Sequence, residues 1–194
     1  MKARVSAFRF TAHAGGAILL ALLCAGCQLF GGDPAQENRD RLTARLDEFT
    51  QVPPREQLTE PPYIKGRALI VTIKNDPPSK LQEDPVYWGG PNQDKARALM
   101  AESPEQVETV VLLNYSKEKA DSYQIVGEKG GVAGFREVCE LVVIDRSIPA
   151  VVHRKTFRAP DLPSATSISD KQTDVTSSVS LDTVRSYIVN LPRR

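Results

Sequence analysis

Val138-Cys-Glu-Leu-Val-Val-Ile144, Asp145-Arg-Ser-Ile-Pro149 and Ala150-Val-Val-His-Arg-Lys-Thr-Phe157 follow one another without a gap. The outer two runs are rich in β-branched residues, and the middle one holds Asp, Ser and Pro, which favour a reversal of the chain. Residues 136–158 therefore read as an antiparallel β-hairpin at the centre of the scaffold. Working outward, Arg67-Ala-Leu-Ile-Val-Thr-Ile-Lys74 is another β-rich run, stopped by Asn75-Asp76-Pro77-Pro78. Val107 to Tyr115 contains Val-Val-Leu-Leu and suits a buried strand, being too short for a core helix. Ser122 to Val126 reads as a further strand, ended by Gly127-Glu-Lys-Gly-Gly131.

Helical patterns flank these strands. Gln36 to Thr50 sets Leu42, Leu46 and Phe49 on one side, and Asp94 to Glu102 is built from helix formers. Asp182 to Asn190 places Val184, Tyr187, Ile188 and Leu191 inward and stops at Pro192. From Ser164 to Thr183, ten of twenty residues are Ser or Thr, so 164–180 reads as a solvated loop. The order predicts an α+β domain: a mostly antiparallel sheet with helices on one face, the C-terminal helix among them. No repeat at a period of 20 to 50 residues interrupts it. Pro53-Pro54 and Pro61-Pro62 favour extended backbone. Residues 27–62 thus read as anchor, short helix and Pro-rich tether, ahead of a single domain at 63–194.

The first residues carry an address. Lys2, Arg4 and Arg9 form a basic start with no acid, and Ala14 to Leu23 is an apolar core of signal-peptide length. Leu22-Leu23-Cys24-Ala25-Gly26-Cys27 then resembles the lipobox of bacterial lipoproteins, with Cys24 where Leu, Val or Ile is usual. The resemblance covers only this leader and its cysteine. It implies a signal peptide at 1–26, cleavage between Gly26 and Cys27, and Cys27 as the lipidated first residue of the mature chain. The thiolate is the nucleophile for such acylation. Each buried methylene contributes about 0.8 kcal/mol, so two or three acyl chains hold where one does not. In Gram-negative members an Asp after the cysteine favours the inner membrane; Gln28 stands here, which favours the outer membrane in such a host. The alternative is an uncleaved single-helix anchor. Between Thr11 and Gly32 no side chain is formally charged with His13 neutral, a run long enough for about 30 Å of hydrocarbon. Both readings place the rest outside the cytoplasm.

The net charge of +1 becomes −2 once the leader is removed, leaving 22 basic and 24 acidic side chains. That balance gives no basic stripe for nucleic acid and no acidic tail. With Cys24 in the leader and Cys27 acylated, Cys139 is the remaining thiol, so no intramolecular disulfide is expected.

Catalytic patterns are sparse. Cys139 and His153 lie on opposite arms of the hairpin, and a turn centred near Arg146 would set nucleophile beside base. A one-residue slip would put them on opposite faces, and a cysteine among Val and Leu ordinarily acts as a small hydrophobe. Zinc needs three or four nitrogen or sulfur ligands, and Asp121, Glu137, Glu140 and Asp145 lack calcium-loop spacing. Gly127, Gly130, Gly131 and Gly134 have no Gly-Lys-Ser/Thr ending and read as turn glycines. No Gly-x-Ser-x-Gly elbow occurs. Tyr87-Trp88-Gly89-Gly90-Pro91 offers aromatic area that could contact a sugar or a peptide. The expectation is a non-enzymatic, membrane-anchored envelope lipoprotein, structural or ligand-binding. No catalytic residue, metal or cofactor is expected. Its partners are membrane lipid through Cys27, an envelope protein or glycan, and no nucleic acid. The rival reading is a thiol-dependent enzyme using Cys139 and His153.

Overall fold

The computed structural model describes residues 33–73, 79–81, 88, 92–124, 131–162 and 174–194. A division after Glu37 sets residues 1–37 apart from a compact unit, Asn38–Arg194, that carries the sheet. The helices are α1 (Pro34–Ala44), α2 (Leu46–Thr50), α3 (Gln93–Leu99) and α4 (Leu181–Val189). The strands are β1 (Arg67–Ile73), β2 (Ser79–Leu81), β3 (Val107–Gln124), β4 (Gly131–Asp145), β5 (Ala150–Arg158) and β6 (Asp174–Ser177). They form one sheet in the order β2-β1-β3-β4-β5, with β6 also on β4. β1–β2, β3–β4 and β4–β5 are antiparallel, whereas β1–β3 and β4–β6 are parallel. The architecture is α+β with a mostly antiparallel sheet and a C-terminal helix.

The 136–158 hairpin is present as β4 and β5, but only β4 is central. The run at 107–115 and the described part of the run at 122–126, residues 122–124, belong to one strand, β3, which pairs with β4 from Thr109↔Asp145 to Gln124↔Gly131; residues 125 and 126 lie outside the described residues. A bulge between Lys119 and Asp121 takes up the irregularity.

The expectation of helices on one face is corrected. Alternate residues of the central strands face opposite ways, and both sets are apolar. Ala68, Ile70, Val111, Leu113, Cys139, Leu141 and Val143 share a core with Ala96 and Leu99 of α3 and with Val184 and Ile188 of α4. Leu69, Val71, Val110, Leu112, Val142 and Ile144 share the other with Leu42 of α1 and Phe49 of α2. Continuous apolar runs such as Val-Val-Leu-Leu mark strands covered on both sides.

Two further corrections share a cause. Within the expected loop at 164–180, residues 174–177 form β6, registered Gly134↔Val175 and Phe135↔Thr176, with Val175 and Val179 buried. Pairing with β4 overrides the polar composition there; residues 163–173 lie outside the described residues. The expected tether at 27–62 is seated on the sheet at particular points within the unit that begins at Asn38. Leu42 and Phe49 are core residues, and residues 55–59 run along β5. Residues 27–32 are also outside the description.

The hairpin turn is fixed by polar groups. Asp145 is 2% exposed; its Oδ1 accepts from Ser147 N at 2.8 Å and Ser147 Oγ at 2.6 Å, and its Oδ2 from Tyr63 OH at 2.9 Å. Burial alone would raise this carboxyl's pKa, but the bonds from Ser147 and Tyr63, with Lys65 nearby, hold it below the ordinary aspartate value. Gly66 follows with φ of +54°, and a Cβ there would strike the Glu108 carboxylate.

Candidate functional site

Thr183, Ser186, Tyr187 and Asn190 recur at helical spacing and so lie along one side of α4. Ser180 starts this helix, its hydroxyl accepting from Thr183 N at 3.4 Å. Val184 and Ile188, on the adjoining side, are buried and seat the helix on the sheet. With Lys155 and Phe157 of β5, the polar side lines an open groove enclosing about 610 Å³; Pro62, Leu191 and Pro192 complete its walls.

Tyr187 is the organising residue. Its hydroxyl lies 2.7 Å from His153 Nε2, its ring stacks near the imidazole at 6.0 Å, and Phe157 meets it edge-on at 5.5 Å. Lys155 Nζ lies 4.5 Å from the Tyr187 ring centre and 5.6 Å from that of Phe157. Burial, then the Glu60 charge, raises the Tyr187 pKa, so its phenol stays protonated at neutral pH. Burial lowers the His153 pKa; Glu60 opposes that shift and Lys155 reinforces it, so the ring is neutral at pH 7.

The polar rim is held from α3. Asn92, at the N-cap of α3, makes no cap bond; its Nδ2 donates to Ser186 Oγ at 3.0 Å. Lys95 Nζ donates to Asn190 Oδ1 at 3.0 Å, and Asn190 Nδ2 to the Ser186 carbonyl at 2.8 Å. An apolar floor, oriented hydroxyls and one ammonium at the mouth give the groove the composition of a candidate binding surface.

Cys139 and His153 are not brought together. The register is Cys139↔Phe157 and Val143↔His153, which separates them by four strand positions, roughly 13 Å at about 3.3 Å per residue. Cys139 is 0% exposed, and burial pushes its thiol up to about 11, despite a hydrogen bond from Tyr115. That is the environment of an inert thiol.

Trp88 is 6% exposed and belongs to the α3–α4 core, with the Arg185 guanidinium 5.4 Å from its ring centre. Its indole is packed rather than presented. Tyr87, Gly26, Cys27 and the glycines at 127 and 130 lie outside the described residues, while Gly131 and Gly134 are in β4. Among the described residues no three His, Cys, Asp or Glu side chains gather to hold a metal ion. No described helix is long and apolar enough to cross a membrane. Sequence reasoning placed Tyr187 on the inner side of α4 but missed the groove. The signal was the polar stripe Thr183, Ser186 and Asn190 beside the apolar one.

Comparison with protein-family models, with curated proteins and with solved structures gives no match.

Proposed function

We propose that this chain is an exported, non-enzymatic binding module, anchored to a membrane through acylated Cys27 and engaging an envelope partner, protein or glycan, at the α4–β5 groove. The leader ending Leu22-Leu23-Cys24-Ala25-Gly26-Cys27 supports the export and the anchor. The observation that carries the binding reading is the groove itself. Its polar groups are fixed by α3 and its aromatic pair by His153 and Lys155, so little ordering remains to oppose a ligand. The burial and raised pKa of Cys139, away from His153, weigh against thiol chemistry. In a Gram-negative host, Gln28 after the cysteine favours the outer membrane.

Isolated host envelopes and a lipid-free Cys27→Ser protein test this reading. The soluble protein should sediment with envelopes. Thr183→Trp, an exposed change that fills the groove, should keep the thermal midpoint and remain in the supernatant. Equal sedimentation of the two proteins contradicts the groove as the binding face.

A further inference from the structure

Phe49 and Tyr63 are buried at 2% and 5% exposure, yet no side chain from Gln51 to Pro62 is buried. The stretch lies along β5 on three backbone hydrogen bonds. Gln57 N donates to the Val151 carbonyl at 2.8 Å, Thr59 N to the Val152 carbonyl at 3.0 Å, and Val151 N to the Arg55 carbonyl at 3.0 Å. Glu56 Oε1 adds an ion pair with Arg154 Nε at 2.8 Å. A segment pinned at both ends and lacking apolar burial opens locally at far less cost than the sheet unfolds. Prolines at 53, 54, 61 and 62 have no amide to donate, so the seated strand must fall within the six residues between them.

Opening this strap bares a strand edge. β5 has a register shift opposite Val143 and Ile144, which leaves Val152 as the extra residue and lets its carbonyl join that of Val151 toward the strap. Such an edge accepts extended main chain. We propose that residues 55–59 are a displaceable edge strand, and that the β5 edge beneath them takes the same segment from a second copy of this chain. The seated strap shows which strand fits. A second copy brings donors at Gln57 and Thr59, an acceptor at Arg55 and the Glu56 carboxylate for Arg154. Glu140 already occupies another arm of that guanidinium at 2.9 Å. Each copy gives one strap and receives one, so the contact closes on itself as a two-fold pair. Anchoring through Cys27, which rests on the proposed function, concentrates copies on one surface and favours the exchange. The exchange uses the β5 edge, whereas the groove touches this stretch only at its end, through Pro62 and the Glu60 charge.

Leu58 is 62% exposed and offers a labelling position. Leu58→Cys lipoprotein, labelled in separate donor and acceptor pools, is mixed at rising density on phosphatidylethanolamine–phosphatidylglycerol vesicles. Energy transfer between copies should rise with density. It should fall at least tenfold when Gln57→Pro and Thr59→Pro remove both strap donors, and should fall with Arg154→Glu, which leaves the strap backbone intact. None of these side chains is buried, and an unchanged thermal midpoint confirms folding. A peptide of residues 53–61 should bind the double-proline protein and compete with exchange in the parent. Absent transfer, or transfer indifferent to both variants, overturns the proposal. Peptide binding without transfer between copies overturns it too, and makes the edge a site for a foreign extended peptide.

Discussion

The two faces of the sheet carry helices attached by different means. α4 inserts Val184 and Ile188, backed by Leu191, into a core shared with α3, and polar bonds from Asn92 and Lys95 tie the two helices together. The opposite face is covered by less. Leu42 and Phe49 are its buried helical residues, and Phe49 sits between the guanidinium groups of Arg45 and Arg146 at 5.2 Å and 4.5 Å, with Glu48 bridging both. One cover is fixed by apolar packing and carries the groove. The other is thin, partly electrostatic, and formed by the chain that leads back toward Cys27. Apolar packing is therefore concentrated on the face that carries the groove.

The largest effect should come from the thick cover. Ile188→Ala removes a side chain that is 1% exposed and should cost about 2–5 kcal/mol, read as a lower denaturant midpoint with one cooperative transition. A second transition would mean that α4 unfolds separately from the sheet, and the contrast between faces would fail.

The turn that joins β4 to β5 comes next. Asp145→Asn weakens the bonds to Ser147 and Tyr63 and should cost about 1–3 kcal/mol. Its carboxyl pKa is lower folded than unfolded, so its contribution is full above the ordinary value of 3.8 and fades as pH falls toward the folded value. Urea midpoints below about pH 4 should thus fall more steeply in the parent than in the variant. Parallel acid limbs would remove Asp145 from the account.

Much of this contrast was legible in the sequence, and the missing part has physical causes. β1 and the hairpin announce themselves by runs of β-branched residues bounded by turn formers, and the inward side of α4 by apolar residues at helical spacing. The second covered face was not read, although Val-Val-Leu-Leu carries its signal, since an unbroken apolar run has no side to spare for water. Strand β6 was hidden because Asp174-Val-Thr-Ser177 has a loop's composition and gains its ladder from β4. The strap at 55–59 was hidden likewise, its pairing being mainly backbone with an exposed ion pair from Glu56. The Tyr187–His153 contact joins residues 34 positions apart, and no local pattern reports it.

Smaller perturbations sharpen the comparison further. Ser180→Ala removes the α4 cap and should cost about 1 kcal/mol in thermal melts, without altering exchange in α1 and α2. On the thin face, Arg146→Ala should cost roughly 0.5–1 kcal/mol through its lost stacking on Phe49. Amide exchange should then quicken in α2 but not in α4; equal quickening would show one coupled cover. His153 gives the smallest effect. Its folded pKa lies below the unfolded 6.5, so the unfolded chain binds more protons between those values. Stability should decline as pH falls from 7.5 toward 5.5, and His153→Asn should lessen that decline. No difference between the two proteins would show that the ring titrates alike in both states.

The whole arrangement presumes that the thin-face helices lead to a lipid. Intact mass of the protein purified from host membranes tests this most directly. The account predicts a chain beginning at Cys27 with residues 1–26 removed and the mass of a diacylglyceryl group, with or without a further acyl chain, on that residue. A chain that retains Met1 to Gly26 with unmodified Cys27 contradicts it.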